Sequence, residues 1–207
     1  EHRVNLINLI KSIIANCSEG LFASGEELFK SVVDTIVWAF KHEEPLIAEN
    51  GLDICQKLLN LVAQNEQICN QFYQLYHLSL LKDIFYVLTD SFHLSGFKHQ
   101  TVILQELFRV IESGQVSSPV ASDATNNKEY VINHMAELLA SSFQNLVKTQ
   151  IETFLLALFN NCTDKEPFKT TVRDFLVTRN AFSDSNDPLH TERKNQEMEI
   201  ALKKRQE

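Results

Sequence analysis

Glycine and proline are scarce in this sequence, which has only five glycines and four prolines among 207 residues. A fold made of many short strands needs tight turns, and turns concentrate these two residues. The chain also lacks a run of about 18 or more apolar residues, which predicts no membrane insertion. These absences favour a protein built from helices packed on helices.

Motifs of known catalytic or phosphate-binding chemistry are also missing. The sequence contains no GxxxxGK[ST], GxGxxG, GxSxG or HExxH. The stretch EYVINHMAE places Glu129, His134 and Glu137 near one another, but no matching second set of ligands accompanies it. We interpret His134 as a surface or half-buried helix residue. The sequence therefore predicts no enzyme activity, no metal site and no cofactor.

The net charge limits the class of partners, and the cysteines indicate the cellular compartment. The net charge is −8, from 27 acidic and 19 basic residues, which argues against direct nucleic-acid binding. The four cysteines form no CxxC pair and lie largely among apolar helix positions, so we expect buried or half-buried thiols in a reducing compartment. They are Cys17, Cys55, Cys69 and Cys162.

Apolar residues at steps of three and four predict eight helices within residues 1–182 and no strand. The second stripe ends before Pro45, and a third helix begins at about that proline, which suits a first helical turn. The polar interval 113–127 is interpreted as a surface loop. Trp38 is expected between helices, where its truncation to alanine would cost about 3–5 kcal/mol. The same core position is expected for the other aromatic residues of these helices, Phe40, Phe72, Tyr73 and Tyr76. The alternative is that these five aromatic residues line a groove for a partner helix.

The predicted helices fall into pairs that begin near residues 1, 45, 95 and 148. This spacing is typical of α-solenoid repeats of about 40–47 residues. We predict an all-α fold, an α-solenoid of about four HEAT-type antiparallel helix pairs over 1–182. A linker and a charged C-terminal helix are predicted for 183–207. An eight-helix bundle is the competing architecture.

Lys30, Asp34 and Lys41 fall on the polar side of the second predicted helix. Two interpretations stay open at this point. The three residues form a solvated face, or they contact a partner protein.

Six short stretches, in order along the chain, carry a resemblance to a known family. They are EHRVNL, DTIVWAFKH, QFYQLY, VIESGQ, NNKEYV and RDFLV. Together they resemble the C-terminal part of a nuclear export receptor of the karyopherin-β family. The match extends through most of residues 1–182 and more loosely into the tail.

The resemblance implies the last few HEAT repeats of a ring-shaped receptor that shuttles between nucleus and cytoplasm. Its implied partners are GTP-bound Ran, cargo with a leucine-rich export signal, and nucleoporins. The family's main cargo groove and its reactive cysteine lie N-terminal to this segment, so none of the four cysteines here takes that role. A generic α-solenoid scaffold without Ran linkage is the alternative function.

Two further expectations concern the ends of the chain. The sequence does not begin with methionine, and we expect a segment of a longer protein whose first helix exposes a face that promotes dimer contacts. The resemblance also implies a regulatory C-terminal helix followed by an acidic tail. Residues 183–207 depart from that pattern, since six acidic and five basic residues give a net charge of only −1.

Overall fold

The described part of the molecule consists of helices joined by loops and contains no strand. A computed structural model describes residues 2–143 and 146–183, and the predicted tail helix lies outside these ranges. One 3₁₀ segment, Ser91–Gly96, connects α5 to α6. The α-helices are α1 (His2–Asn16), α2 (Ser18–Ala23), α3 (Glu26–Phe40), α4 (Pro45–Val62), α5 (Glu66–Thr89), α6 (Phe97–Glu112), α7 (Asn127–Ser142), α8 (Lys148–Asn161) and α9 (Lys165–Ser183).

Asparagine side chains mark the starts of α5 and α7, and a proline marks the start of α4. The side chain of Asn65 accepts a hydrogen bond from the Ile68 amide at 3.1 Å, and Asn126 caps α7 in the same way. Such caps satisfy amide groups that have no partner within the helix. Pro45 occupies the first turn of α4, as the sequence predicted.

The helices form two layers, which confirms the all-α solenoid. Helices α1, α4 and α6 lie side by side, and α8 and α9 continue that layer against α6. Helices α3, α5 and α7 form the second layer, in which neighbours contact one another less. A buried apolar core runs continuously between the layers.

The prediction of which consecutive helices form a pair is wrong, because the pairs are shifted by one helix. Helix α3 packs chiefly on α4, α5 on α6, and α7 on α8, so the pairs begin at residues 26, 66 and 127. Helix α1 packs chiefly on α4 and contacts α3 less. The short helix α2, in the glycine- and serine-containing stretch SEGLFASG, separates α1 from α3.

A glycine allows the tightest of these pairings. A Cβ atom added to Gly51 of α4 would lie 2.4 Å from the Phe40 amide nitrogen and 2.7 Å from the Ala39 carbonyl carbon. Only a residue without a side chain fits there, because both neighbours are backbone atoms of α3. Gly51 therefore sets the distance between α3 and α4.

The expected burial of Trp38 is wrong, since 41% of this residue is exposed. Helix α3 buries its opposite face, which includes Ile36, Ala39 and Phe40. The indole instead packs edge-on against His42, with ring centroids 5.2 Å apart. The large loss of stability expected for Trp38→Ala therefore no longer follows. Phe40, Phe72 and Tyr73 are buried as expected, and Tyr76 is partly buried.

Burial of the cysteines is confirmed for three of the four. Cys55, Cys69 and Cys162 are buried free thiols, and burial raises the pKa of Cys55 to about 12. Cys17 is exposed, because it lies at the junction between α1 and α2 rather than on a packed face.

The polar interval between α6 and α7 is a loop, as predicted, but it is held firmly to the helices. The side-chain oxygen of Asn70 on α5 accepts hydrogen bonds from the amides of Ser117 and Ser118, both at 2.8 Å. Val116 and Val120 are buried beneath the loop. The loop therefore packs as part of the solenoid.

Helix α1 exposes part of its apolar surface to solvent. Leu6 and Leu9 of α1 are exposed, and the dimer expected from this face stays a prediction.

Within the described residues, no helix combines the length and the apolar character needed to cross a bilayer.

A buried histidine connects α5 to α6. His77 is 1% exposed, and its Nε2 atom lies 2.9 Å from the Leu107 carbonyl oxygen. Its Nδ1 atom is buried and has no hydrogen-bond partner among the residues that the structure describes. Burial lowers the pKa of His77 from 6.5 to about 4, so the ring is neutral at pH 7.

Replacement of Gly51 by alanine is expected to destabilise the fold by about 1–3 kcal/mol, although alanine is the better helix former. The new methyl group would overlap the α3 backbone. Gly20→Ala in α2 is the matched control, because no atom lies within 4 Å of the added Cβ, and it should stabilise by up to about 1 kcal/mol. Urea unfolding measures both changes, and a stabilising Gly51→Ala would contradict the proposed close approach.

Acid is expected to weaken the fold through His77. The unfolded chain binds the proton with a pKa near 6.5 and the folded chain with one of about 4. The free energy of unfolding is therefore unaffected by His77 protonation above pH 6.5. It decreases by about 3 kcal/mol as the pH drops from 6.5 to 4, because the unfolded chain binds the proton more tightly. His77→Gln keeps a donor for Leu107 but does not titrate, so it should flatten this part of the profile. An equally steep loss in the variant would assign the effect to other groups.

Candidate functional site

The outward face of α3 carries all three residues singled out in the sequence. Lys30, Asp34, Trp38 and Lys41 follow one another at steps of four, four and three residues, which places them on one face of the helix. Helix α5 lies beside α3 in the same layer. We call the channel between these two outward faces the α3–α5 groove.

Lys30 and Asp34 form an ion pair at one side of this groove. The Lys30 Nζ atom lies 2.6 Å from Asp34 Oδ2, and both side chains are well exposed. The hydrogen bond that the Lys30 ammonium donates to the Asp34 carboxylate raises the pKa of Lys30. The Asp34 charge also acts on Tyr76 of α5. Burial of Tyr76 and the negative charge of Asp34 both raise the pKa of its phenol. An exposed pair at this spacing contributes little to stability.

Lys41 belongs to a different contact at the C-terminal end of α3. Its Nζ atom lies 2.7 Å from Asp83 Oδ1 on α5 and 5.0 Å from the centre of the Tyr86 ring. This ion pair is half-buried and joins the two helices directly. The structure thus brings Lys30 and Asp34 together and places Lys41 apart from them in the same groove. Their role in partner binding stays a prediction.

An aromatic pocket of about 370 Å³ opens at the other end of the groove. It lies between the α2–α3 corner and the first half of α5. Its lining residues are Phe22, Gly25, Glu26, Phe29, Ile68, Gln71, Phe72, Gln74, Leu75 and Tyr76. A volume of this size is typical of a site that holds a small molecule or a side chain from a partner.

Four aromatic rings of this pocket contact one another at an angle. The Phe29 centroid lies 5.8 Å from Phe22, 6.1 Å from Phe72 and 6.1 Å from Tyr76. Phe72 is buried, while Phe22, Phe29 and Tyr76 keep part of their surface in solvent. The pocket is therefore a preformed apolar surface with aromatic walls.

The sequence indicated Phe72 and Tyr76 as candidates for a groove but did not predict this pocket, although further signals were present. Leu75 is 57% exposed although it falls among the apolar positions of α5. Phe22 lies in the glycine- and serine-containing stretch SEGLFASG. Phe22 is an apolar residue inside a polar stretch, and the apolar residues of α5 cover more than one face of that helix. Together these two signals could have indicated the site.

The histidine singled out in the sequence has an aromatic neighbour. His134 stacks on Tyr130, with ring centroids 6.0 Å apart and an interplanar angle of 11°. Among residues 2–143 and 146–183, no group of three histidine, cysteine or acidic side chains could hold a metal ion. The absence of a cofactor and of catalysis stays a prediction.

Comparison with known proteins places this architecture in a family. Residues 1–184 match the family model described as CRM1 C terminal. Protein EXPORTIN 1B of Arabidopsis thaliana is 37% identical over 206 residues, which cover 96% of this chain and 19% of the relative. Exportin-1 of Dictyostelium discoideum is 39% identical over 209 residues, which cover 98% and 20%.

A third relative gives the same result. Exportin-1 of Schizosaccharomyces pombe (strain 972 / ATCC 24843) is 37% identical over 204 residues, which cover 96% of this chain and 19% of that protein. The chain thus spans about a fifth of the length of the relatives it matches. The resemblance carried by the six sequence stretches is confirmed, and the chain belongs to the CRM1 C-terminal family.

Proposed function

We propose that this chain is the C-terminal part of a nuclear export receptor and has a structural and regulatory role in it. The observation that carries the proposal is the family match over residues 1–184, together with relatives named as exportins. The two-layered solenoid supports it, because stacked helix pairs provide an extended scaffold for partner proteins. The proposed activity is transport rather than catalysis.

The proposed partners of the whole receptor are GTP-bound Ran, cargo with a leucine-rich export signal, and nucleoporins. With them the receptor would shuttle between nucleus and cytoplasm through nuclear pores. A generic scaffold without Ran linkage is the competing function, since a solenoid alone fits both.

The α3–α5 groove is the surface of this segment that we assign to partner contact. It combines an aromatic pocket, an exposed apolar residue at Leu75, and the ion pairs of Lys30 and Lys41. Apolar and aromatic surface surrounded by polar groups is typical of protein interaction sites.

Coupled binding to Ran tests the transport function. A fluorescent peptide with a leucine-rich export signal should bind the full-length receptor more tightly when GTP-bound Ran is present, as measured by fluorescence anisotropy. GDP-bound Ran is the control and should leave the affinity unchanged. Equal affinity with both forms would favour the scaffold alternative.

The variant Leu75→Ser tests the groove. This leucine is 57% exposed and lines the aromatic pocket, so the change should weaken binding of the full-length receptor to at least one of the three partners with little loss of stability. Leu46→Ser on α4 is the matched control, because Leu46 is 58% exposed but lies outside the groove. Pull-down with each immobilised partner measures the effect. Unchanged binding to all three would remove the groove from the proposal.

A further inference from the structure

The lining of the aromatic pocket includes one acidic side chain and no basic one. Glu26, in the first turn of α3, is the one ionisable acidic or basic side chain among the lining residues, apart from the Tyr76 phenol. The nearest lysine on the same helix face, Lys30, is already paired with Asp34 at 2.6 Å. The pocket therefore combines aromatic surface with an excess of negative charge.

The pocket lining also contains hydrogen-bond acceptors. Gln71 and Gln74 of α5 line the pocket, and each side chain has an amide oxygen that can accept a hydrogen bond. No hydrogen bond that would occupy either amide is present in the described residues around the pocket. A ligand with several N–H donors could use these groups and Glu26 together.

The chemistry of this lining selects among ligand groups. A carboxylate or phosphate would be repelled by Glu26. A neutral apolar group would contact the rings but would make no favourable interaction with the Glu26 carboxylate. A cation is attracted both by the Glu26 carboxylate and by the faces of the aromatic rings.

Among cations, the guanidinium group fits best. It is planar, stacks on aromatic faces, sheds water more easily than an ammonium group, and presents several N–H donors to a carboxylate at once. We propose that the aromatic pocket binds an arginine side chain carried by an extended segment of a partner protein. This inference rests on the proposed role of the α3–α5 groove in partner contact, and it adds the chemical group that the groove recognises.

The test uses the full-length protein and a fluorescent peptide in which one arginine is flanked by glycine and serine. The matched ligand is the same peptide with citrulline, which keeps the shape of arginine without its charge. Fluorescence anisotropy should give about tenfold tighter binding for arginine than for citrulline, in line with a desolvated cation–π contact. Lysine in place of arginine should bind more weakly than arginine.

Variants of the protein then locate the site. Glu26→Gln removes the charge at constant size, and Phe29→Leu removes a ring at constant charge, so each should lower the arginine affinity by about fivefold or more. Glu27→Gln is the control, because Glu27 is an exposed neighbour that does not line the pocket. Circular dichroism checks that Phe29→Leu remains folded, and Glu26→Gln decides the question if it does not.

Three outcomes would overturn the inference. Equal binding of arginine and citrulline peptides would show an apolar pocket only. Equal losses in Glu26→Gln and Glu27→Gln would show general attraction to an acidic protein. Stronger binding of a phenylalanine peptide than of the arginine peptide would assign the pocket to an apolar side chain. If Leu75→Ser still weakens partner binding in any of these cases, the groove keeps its proposed function and only the arginine inference fails.

Discussion

The contact between α3 and α4 at Gly51 fixes which face of α3 borders the α3–α5 groove. Because the α4 backbone approaches the Ala39–Phe40 segment so closely, α3 can present only its small and apolar face to α4. The remaining face, with Lys30, Asp34, Trp38 and Lys41, must then point outward. A larger residue at position 51 would rotate or displace α3, and the groove beside α5 would change with it.

The two layers differ in how firmly they are held. Helix α4 contacts α1, α3 and α6 extensively, whereas α3 and α5 contact each other much less. The Lys41–Asp83 ion pair supplies a direct connection between these two helices across the groove. Since a half-buried pair contributes only about 1 kcal/mol, the angle between α3 and α5 depends mainly on the packing of α4 against α6.

The sequence predicts the fold well where the pattern is local and poorly where it depends on packing between helices. Stripes at steps of three and four located the long helices, and Pro45 marked the start of α4. The phase of the pairs was wrong because periodicity shows that a helix has an apolar face but not which neighbour covers it. Trp38 was misassigned for the same reason, since an aromatic residue inside an apolar helix can lie at the edge of its stripe. The groove residues Lys30, Asp34 and Lys41 were found from spacing, whereas the aromatic pocket required three separate segments to be brought together.

The position of the groove between successive helix pairs has a mechanical consequence. A segment bound across α3 and α5 would add contacts to the layer that has the fewest, whereas the opposite layer is already packed through α1, α4 and α6. Any change in the angle between neighbouring pairs would have to break these added contacts, because the rings of Phe29 and Phe72 come from different helices of the groove. Binding would therefore stiffen the solenoid at this point and favour one curvature. In the proposed receptor, a contact of this kind would link occupancy of the groove to the curvature of the neighbouring helix pairs.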